Sequence, residues 1–140
     1  MSPVSRQEPE RVTPSELTGI RDELAGLEAT LHRPAPGWAR ADLSRLVTRD
    51  FWEIGASGRR YSRDYVLDVL QERNWAGTPA PFAPSDFQVQ PLDKDLFLLS
   101  YDLNQDGRLT RRASLWFRTP LGWKCRFHTG TPIEPDTTLA

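Results

Sequence analysis

The chain has one cysteine, one methionine and only two histidines among its 140 residues. The single Cys125 excludes an internal disulfide and any metal site built from several thiolates. No apolar run approaches the roughly 18 residues that a membrane-spanning helix requires. The opening MSPVSRQEPERVTPSEL has neither an apolar h-region nor a small-residue cleavage signal. Export is therefore not expected, and a reducing, cytoplasmic location is the default. Charge of one sign is also lacking: 18 basic against 19 acidic residues leave a net charge of −1. That balance gives no global attraction to nucleic acid or anionic lipid. The asymmetry is internal. Glu8, Glu10, Glu16, Asp22, Glu23 and Glu28 crowd the first part, whereas residues 108–126 carry Arg108, Arg111, Arg112, Arg118, Lys124 and Arg126 and no acid.

What is present reads as one domain over residues 13–133, between a disordered polar tail at 1–12 and a short tail at 134–140. Thr13, Pro14 and Glu16 spell a capping box with proline at the first helical position. Leu17, Ile20, Leu24, Leu27 and Leu31 then form an apolar stripe at helical spacing, ended by Pro34 and Pro36. WARADLSRLV (38–47) suggests a second, short helix with Leu43, Leu46 and Val47 inward. FWEIG (51–55) turns through ASGR into a brief strand at Arg60–Tyr61. RDYVLDVLQER (63–73) is helical with Val66, Val69 and Leu70 on one face, and the proline-containing 74–85 reads as a long connection, a lid or partner contact.

Strands follow at 86–90, 96–103, 108–118 and 123–131. Asp106–Gly107 is a type I′ hairpin signal, and Pro120–Gly122 fits a three-residue hairpin. The fold class is α+β, with helices covering one face of a curved, mainly antiparallel sheet. Pairing Thr119 with Trp123 sets Phe117 opposite Cys125, Trp116 opposite Arg126, Leu115 opposite Phe127 and Ser114 opposite His128. One face is then mostly apolar (Leu96, Leu98, Leu115, Phe117, Cys125, Phe127). The other mixes Phe97, Leu99, Tyr101 and Trp116 with Arg112, Ser114, Arg126 and His128. A half-apolar second face suits an interface or a pocket wall, and a homodimer formed through it is expected.

The element order, with FWEIGASGRRYSRD (51–64), RASLWFR (112–118) and GWKCRFHTGTP (122–132), resembles the nuclear transport factor 2-like superfamily. Within it the chain looks most like the SnoaL-like group called domain-of-unknown-function family 4440. Phe51, Glu53, Gly55, Ser57, Gly58 and Arg59 match its early pattern; Gly122, Trp123, Phe127, His128, Gly130 and Thr131 match its late one. The resemblance spans residues 14–133 and implies a cone-shaped α+β fold, a pocket between helices and sheet, and dimerisation. The superfamily holds isomerases, cyclases, dehydratases and members with no catalysis, so it supplies no reaction.

Candidate chemistry centres on Glu53 and His128. If the first strand lies beside the last, a carboxylate could orient the imidazole and leave its other nitrogen as a base. The blander account makes His128 an interface residue hydrogen-bonded to Ser114. Ser114, His128 and Glu53 are triad residue types without a nucleophile elbow. Tyr101, Arg112, Ser114, Trp116 and Arg126 are the expected ligand or interface residues, with Arg112 or Arg126 suited to an anionic group. His32 reads as a helix-terminal residue complementing the dipole, so no metal and no cofactor are expected. Nucleic acid is disfavoured by the balanced charge. Three functions stand: a module binding a small, partly apolar ligand in a homodimer; an isomerase, dehydratase or hydrolase working through Glu53 and His128; and a purely structural dimerisation module.

Overall fold

The structure, a computed structural model, describes residues 7–76 and 81–134. A 3-10 turn at Ser15–Leu17 leads into α1 (Thr18–His32), followed by α2 (Arg40–Ser44), β1 (Val47–Ile54), β2 (Arg60–Ser62) and α3 (Arg63–Ala76). The remainder is a meander of β3 (Ala83–Asp93), β4 (Leu96–Gln105), β5 (Arg108–Thr119) and β6 (Gly122–Pro132). The six strands form one sheet in the order β2-β1-β6-β5-β4-β3, antiparallel except where β1 runs parallel to β6. This is the helices-then-meander α+β arrangement read from the pattern. No helix among the described residues is long and apolar enough to cross a membrane.

The leucine stripe of α1 does what its spacing implies. Leu24 is fully buried, and Leu17, Ile20, Leu27 and Leu31 pack against the core around it. Its entry differs from the capping box. The buried Thr13 hydroxyl donates to Gln88 Oε1 at 2.6 Å and accepts the Val89 N–H at 3.0 Å, so Thr13 ties the chain to β3 instead of capping the helix. Arg11 reinforces that tie through Asp86 and Ser100. In α3 the deepest residue is Leu67, beside Leu70. The connection expected over 74–85 is shorter: α3 runs to Ala76 and β3 begins at Ala83, while residues 77–80, on which the lid reading falls, lie outside the described residues.

The sheet corrects two expectations. First, Thr119 pairs with Gly122, so the hairpin loop is the two residues Pro120–Leu121, with Gly122 at φ +110°. A bulge then makes up the difference, because Trp116 pairs with Cys125 and Leu115 with Phe127, leaving Arg126 as the extra residue. The two one-residue shifts cancel, so Leu115–Phe127 and Ser114–His128 pair as expected. Between them and the turn, Phe117 faces Lys124, Cys125 moves to Trp116's face, and Arg126 leaves it to pair with Asp50 on β1. Second, the mixed face lies beneath this chain's own helices. Phe97, Leu99, Tyr101, Ser114, Trp116 and Cys125 on it are buried with Leu24, Leu43 and Leu67. A dimer through that face is therefore unavailable. Leu96, Leu98, Leu115, Phe117 and Phe127, on the opposite face, are only partly covered, and Trp52 is 40% exposed.

Candidate functional site

Helices α1 and α3 do not close completely on the inner face of the sheet. They leave a cavity of about 350 Å³ bounded by both helices and by β1, β5 and β6. Apolar side chains (Phe51, Val66, Val69, Leu70) form one part of its wall. At its floor stand Glu28 and His32 from α1 and His128 from β6, with Glu53 from β1 and Arg112 from β5. These groups converge because α1 presents residues four apart on one side, while Glu53 and His128 are register partners of the parallel β1–β6 pair.

Glu28 organises the floor. It is 1% exposed, and its carboxylate accepts the Tyr101 hydroxyl at 2.8 Å and the Trp116 indole N–H at 3.0 Å. These two strong donors stand in for water around a buried charge. Because Tyr101 donates to Glu28, its oxygen is free to accept from His32 Nε2, 3.0 Å away. His128 Nε2 lies 3.4 Å from the Arg112 guanidinium, which can only donate. Its Nδ1 therefore carries the proton and donates to Ser114 Oγ at 2.6 Å, with Glu28 Oε2 3.7 Å away. Burial, and for His128 next the nearby Arg112, pushes both histidines down from 6.5 to about 3. For His32 the neighbouring His128 adds to the effect of burial, and Glu28 opposes it. Both rings are neutral at pH 7.

Arg112 is half-buried and reaches only neutral acceptors: Thr110 Oγ1 at 3.0 Å, Gln105 Oε1 at 3.3 Å and His128. Among the described residues no carboxylate lies within ion-pair distance of it, and burial lowers its pKa. Its cross-strand partner is Gly130, where a Cβ would come within 2.8 Å of the guanidinium. The missing side chain is what lets Arg112 lie along the sheet. Burial pushes the Glu53 carboxyl above its usual range, against the pull of Arg112 and Arg73.

Of the residues singled out from sequence, Tyr101, Arg112, Ser114, Trp116 and His128 share the inner face, and Glu53 joins His128 on the cavity. Trp116 is fully buried, a donor to Glu28 within the core. Arg126 is not at the site, because the bulge turns it to Asp50. Glu53 shares the cavity with His128, but the ring's hydrogen bonds go to Ser114 and Arg112. Ser114 is buried under the ring and presents no exposed nucleophile. His32 does not serve the helix dipole, which would need a charged ring: it is neutral, faces the cavity, hydrogen-bonds Tyr101 and stacks on Phe82 at 4.7 Å. Glu28 was not anticipated. The signal was legible, since Glu28 stands four residues after Leu24 and three before Leu31, inside the apolar stripe.

No family model and no curated protein matches the chain. Solved structures do. A protein of unknown function from Pectobacterium atrosepticum, of domain-of-unknown-function family 3225, is 18% identical with a TM-score of 0.64, over 91% of this chain and 98% of that one. A candidate dehydratase of the nuclear transport factor 2-like family from Streptomyces avermitilis is 18% identical with a TM-score of 0.65, over 86% and 96%. A candidate ketosteroid isomerase from Parabacteroides distasonis is 16% identical with a TM-score of 0.59, over 89% and 96%. At these identities the likeness is one of fold, and the fold is nuclear transport factor 2-like.

Proposed function

We propose that the chain binds a small, partly apolar molecule bearing an anionic group, with that group on Arg112 and the apolar part against Phe51, Val66 and Leu70. The observation that carries this reading is Arg112 itself: a half-buried guanidinium beside the cavity, held by neutral acceptors and without a carboxylate partner among the described residues. A charged hydrogen bond in such a site contributes about 1.5–3 kcal/mol. The cavity, at about 350 Å³, has the size of a small-ligand pocket, which weighs against a purely structural module. In this reading a second copy covers the apolar outer face around Leu98, Leu115 and Phe127, since an uncovered patch of that kind is characteristic of interfaces. The test is a calorimetric series of aromatic and alicyclic carboxylic acids against their neutral amides. The acids should bind roughly tenfold more tightly, and Arg112→Gln should remove the difference. Equal affinity of acid and amide, or no binding across the series, would refute the assignment. Equilibrium sedimentation of wild type and Phe127→Asp tests the dimer, which the substitution should split; a monomeric wild type would overturn it.

A second reading, acid–base catalysis as an isomerase, dehydratase or hydrolase, has Glu53 behind it. A cavity-facing carboxyl with a raised pKa, opposite two neutral imidazoles, is the usual equipment for moving a proton on a bound ligand. Two fold neighbours are named as a candidate dehydratase and a candidate ketosteroid isomerase. Deuterium exchange into bound ketones, lost in Glu53→Gln with binding retained, would support it; exchange no faster than in buffer would eliminate it.

A further inference from the structure

The cavity floor contains a grouping that ligand binding at Arg112 leaves unused. One donor atom from each of Glu28, His32 and His128 lies within 4.8 Å of the other two. Glu28 Oε2 is 4.0 Å from His32 Nε2 and 3.7 Å from His128 Nδ1. Donor atoms around a four-coordinate zinc, at bonds of 2.0–2.1 Å, are about 3.4 Å apart. The triangle is thus within a small side-chain adjustment of a coordination face. A fourth donor atom is already there: the Tyr101 hydroxyl oxygen, 2.8 Å from the Glu28 oxygen and 3.0 Å from His32 Nε2.

We propose that Glu28, His32 and His128, with Tyr101 beside them, form a binding site for one first-row divalent cation of zinc or cobalt type. Two imidazoles and a carboxylate are the donor set such ions prefer, and calcium or magnesium would demand more oxygens. The ligands come from rigid elements, α1 and β6, and all three line the cavity, which leaves any remaining coordination position open to a small molecule. Binding has a defined structural consequence. The ion would take His128 Nδ1 and His32 Nε2, the nitrogens that hold the protons in the metal-free hydrogen-bond pattern, so each ring must shift its proton to the other nitrogen. His128 Nε2–H then meets the Arg112 donor, now 3.4 Å away, and the guanidinium has to swing out. Arg112 therefore opposes the metal.

The test is titration of cobalt(II) alone into chelator-treated full-length protein at pH 7.5, followed by visible absorption, with zinc(II) as competitor. One equivalent should produce the d–d bands of a four- or five-coordinate N/O site, and zinc should erase them. His32→Ala should weaken binding by more than roughly tenfold, and Arg112→Gln should strengthen it. Should His32→Ala lose its circular dichroism, nitrogen-15 shifts of wild type decide instead. With two histidines in the chain, both rings are assignable, and zinc must switch the tautomer of each. Absence of d–d bands at stoichiometric cobalt, binding unchanged in His32→Ala, or rings unmoved by zinc would overturn the site. A thiolate-to-cobalt charge-transfer band would also do so, placing the ion on Cys125.

Discussion

Lowering the pH from 7.5 to 5 should destabilise this protein through its two histidines, and the magnitude follows from their burial. Above pH 6.5 both rings are neutral whether the chain is folded or unfolded, so they leave stability independent of pH. Between 6.5 and about 3 the unfolded chain accepts protons that the folded chain refuses, because His32 and His128 are held down to about 3. Stability then falls as pH falls. Over the interval from 7.5 to 5, each ring costs about 2 kcal/mol, and the pair roughly 4 kcal/mol. That is a large share of the 5–15 kcal/mol typical of a domain. Glu53 acts in the opposite sense: its raised folded pKa means the folded state takes a proton first, recovering some stability as pH falls through that value. Urea denaturation followed by tryptophan fluorescence, with chelator present, should give this slope in the Glu53→Gln background, and His128→Asn should remove about half of it. An unfolding free energy constant to within about 1 kcal/mol across this range, or a ring titrating near 6.5 by NMR, would refute the reasoning.

Glu28→Gln tests the floor's architecture. The amide has one acceptor where the carboxylate met both Tyr101 and Trp116, so with that oxygen kept on the indole the Tyr101 hydroxyl loses its charged acceptor and must turn its proton toward His32; the expected loss is about 1–3 kcal/mol in urea denaturation, with the Trp116 indole proton shifted. Leu24→Ala, at a fully buried position of α1, should cost about 2–5 kcal/mol by the same assay, whereas a loss under about 1 kcal/mol would mean α1 does not pack as described. Gly130→Ala should leave stability nearly unchanged but displace Arg112, read as weaker carboxylate binding; unaltered binding would show that the guanidinium does not depend on that gap.

Local chemistry settled a good deal of this protein without tertiary information. The 3–4 spacing of Leu17 to Leu31 made a helix with one buried side, since a period of 3.6 admits no other arrangement. Asp106 and Gly107 both adopt positive φ, at 59° and 92°, because a type I′ turn demands it, and that turn set the β4–β5 register throughout. The side-by-side placement of β1 and β6, which brings Glu53 to His128's position, was an expectation of the resemblance that the register bears out. Other features could only be decided by the assembled fold. Nothing in Cys125–Arg126 marks a bulge, because the extra residue is absorbed by pairing with β5 and by Asp50 on β1, both distant in sequence. Which face of the sheet the helices cover was equally invisible, since both faces carry large apolar side chains. Glu28 falls inside the apolar stripe of α1 and His32 just past it, a spacing that turns them inward but does not say what they meet. They became the floor of a cavity because α1 packs across β4 and β5, where Tyr101 and Trp116 supply the donors that make a buried carboxylate tolerable.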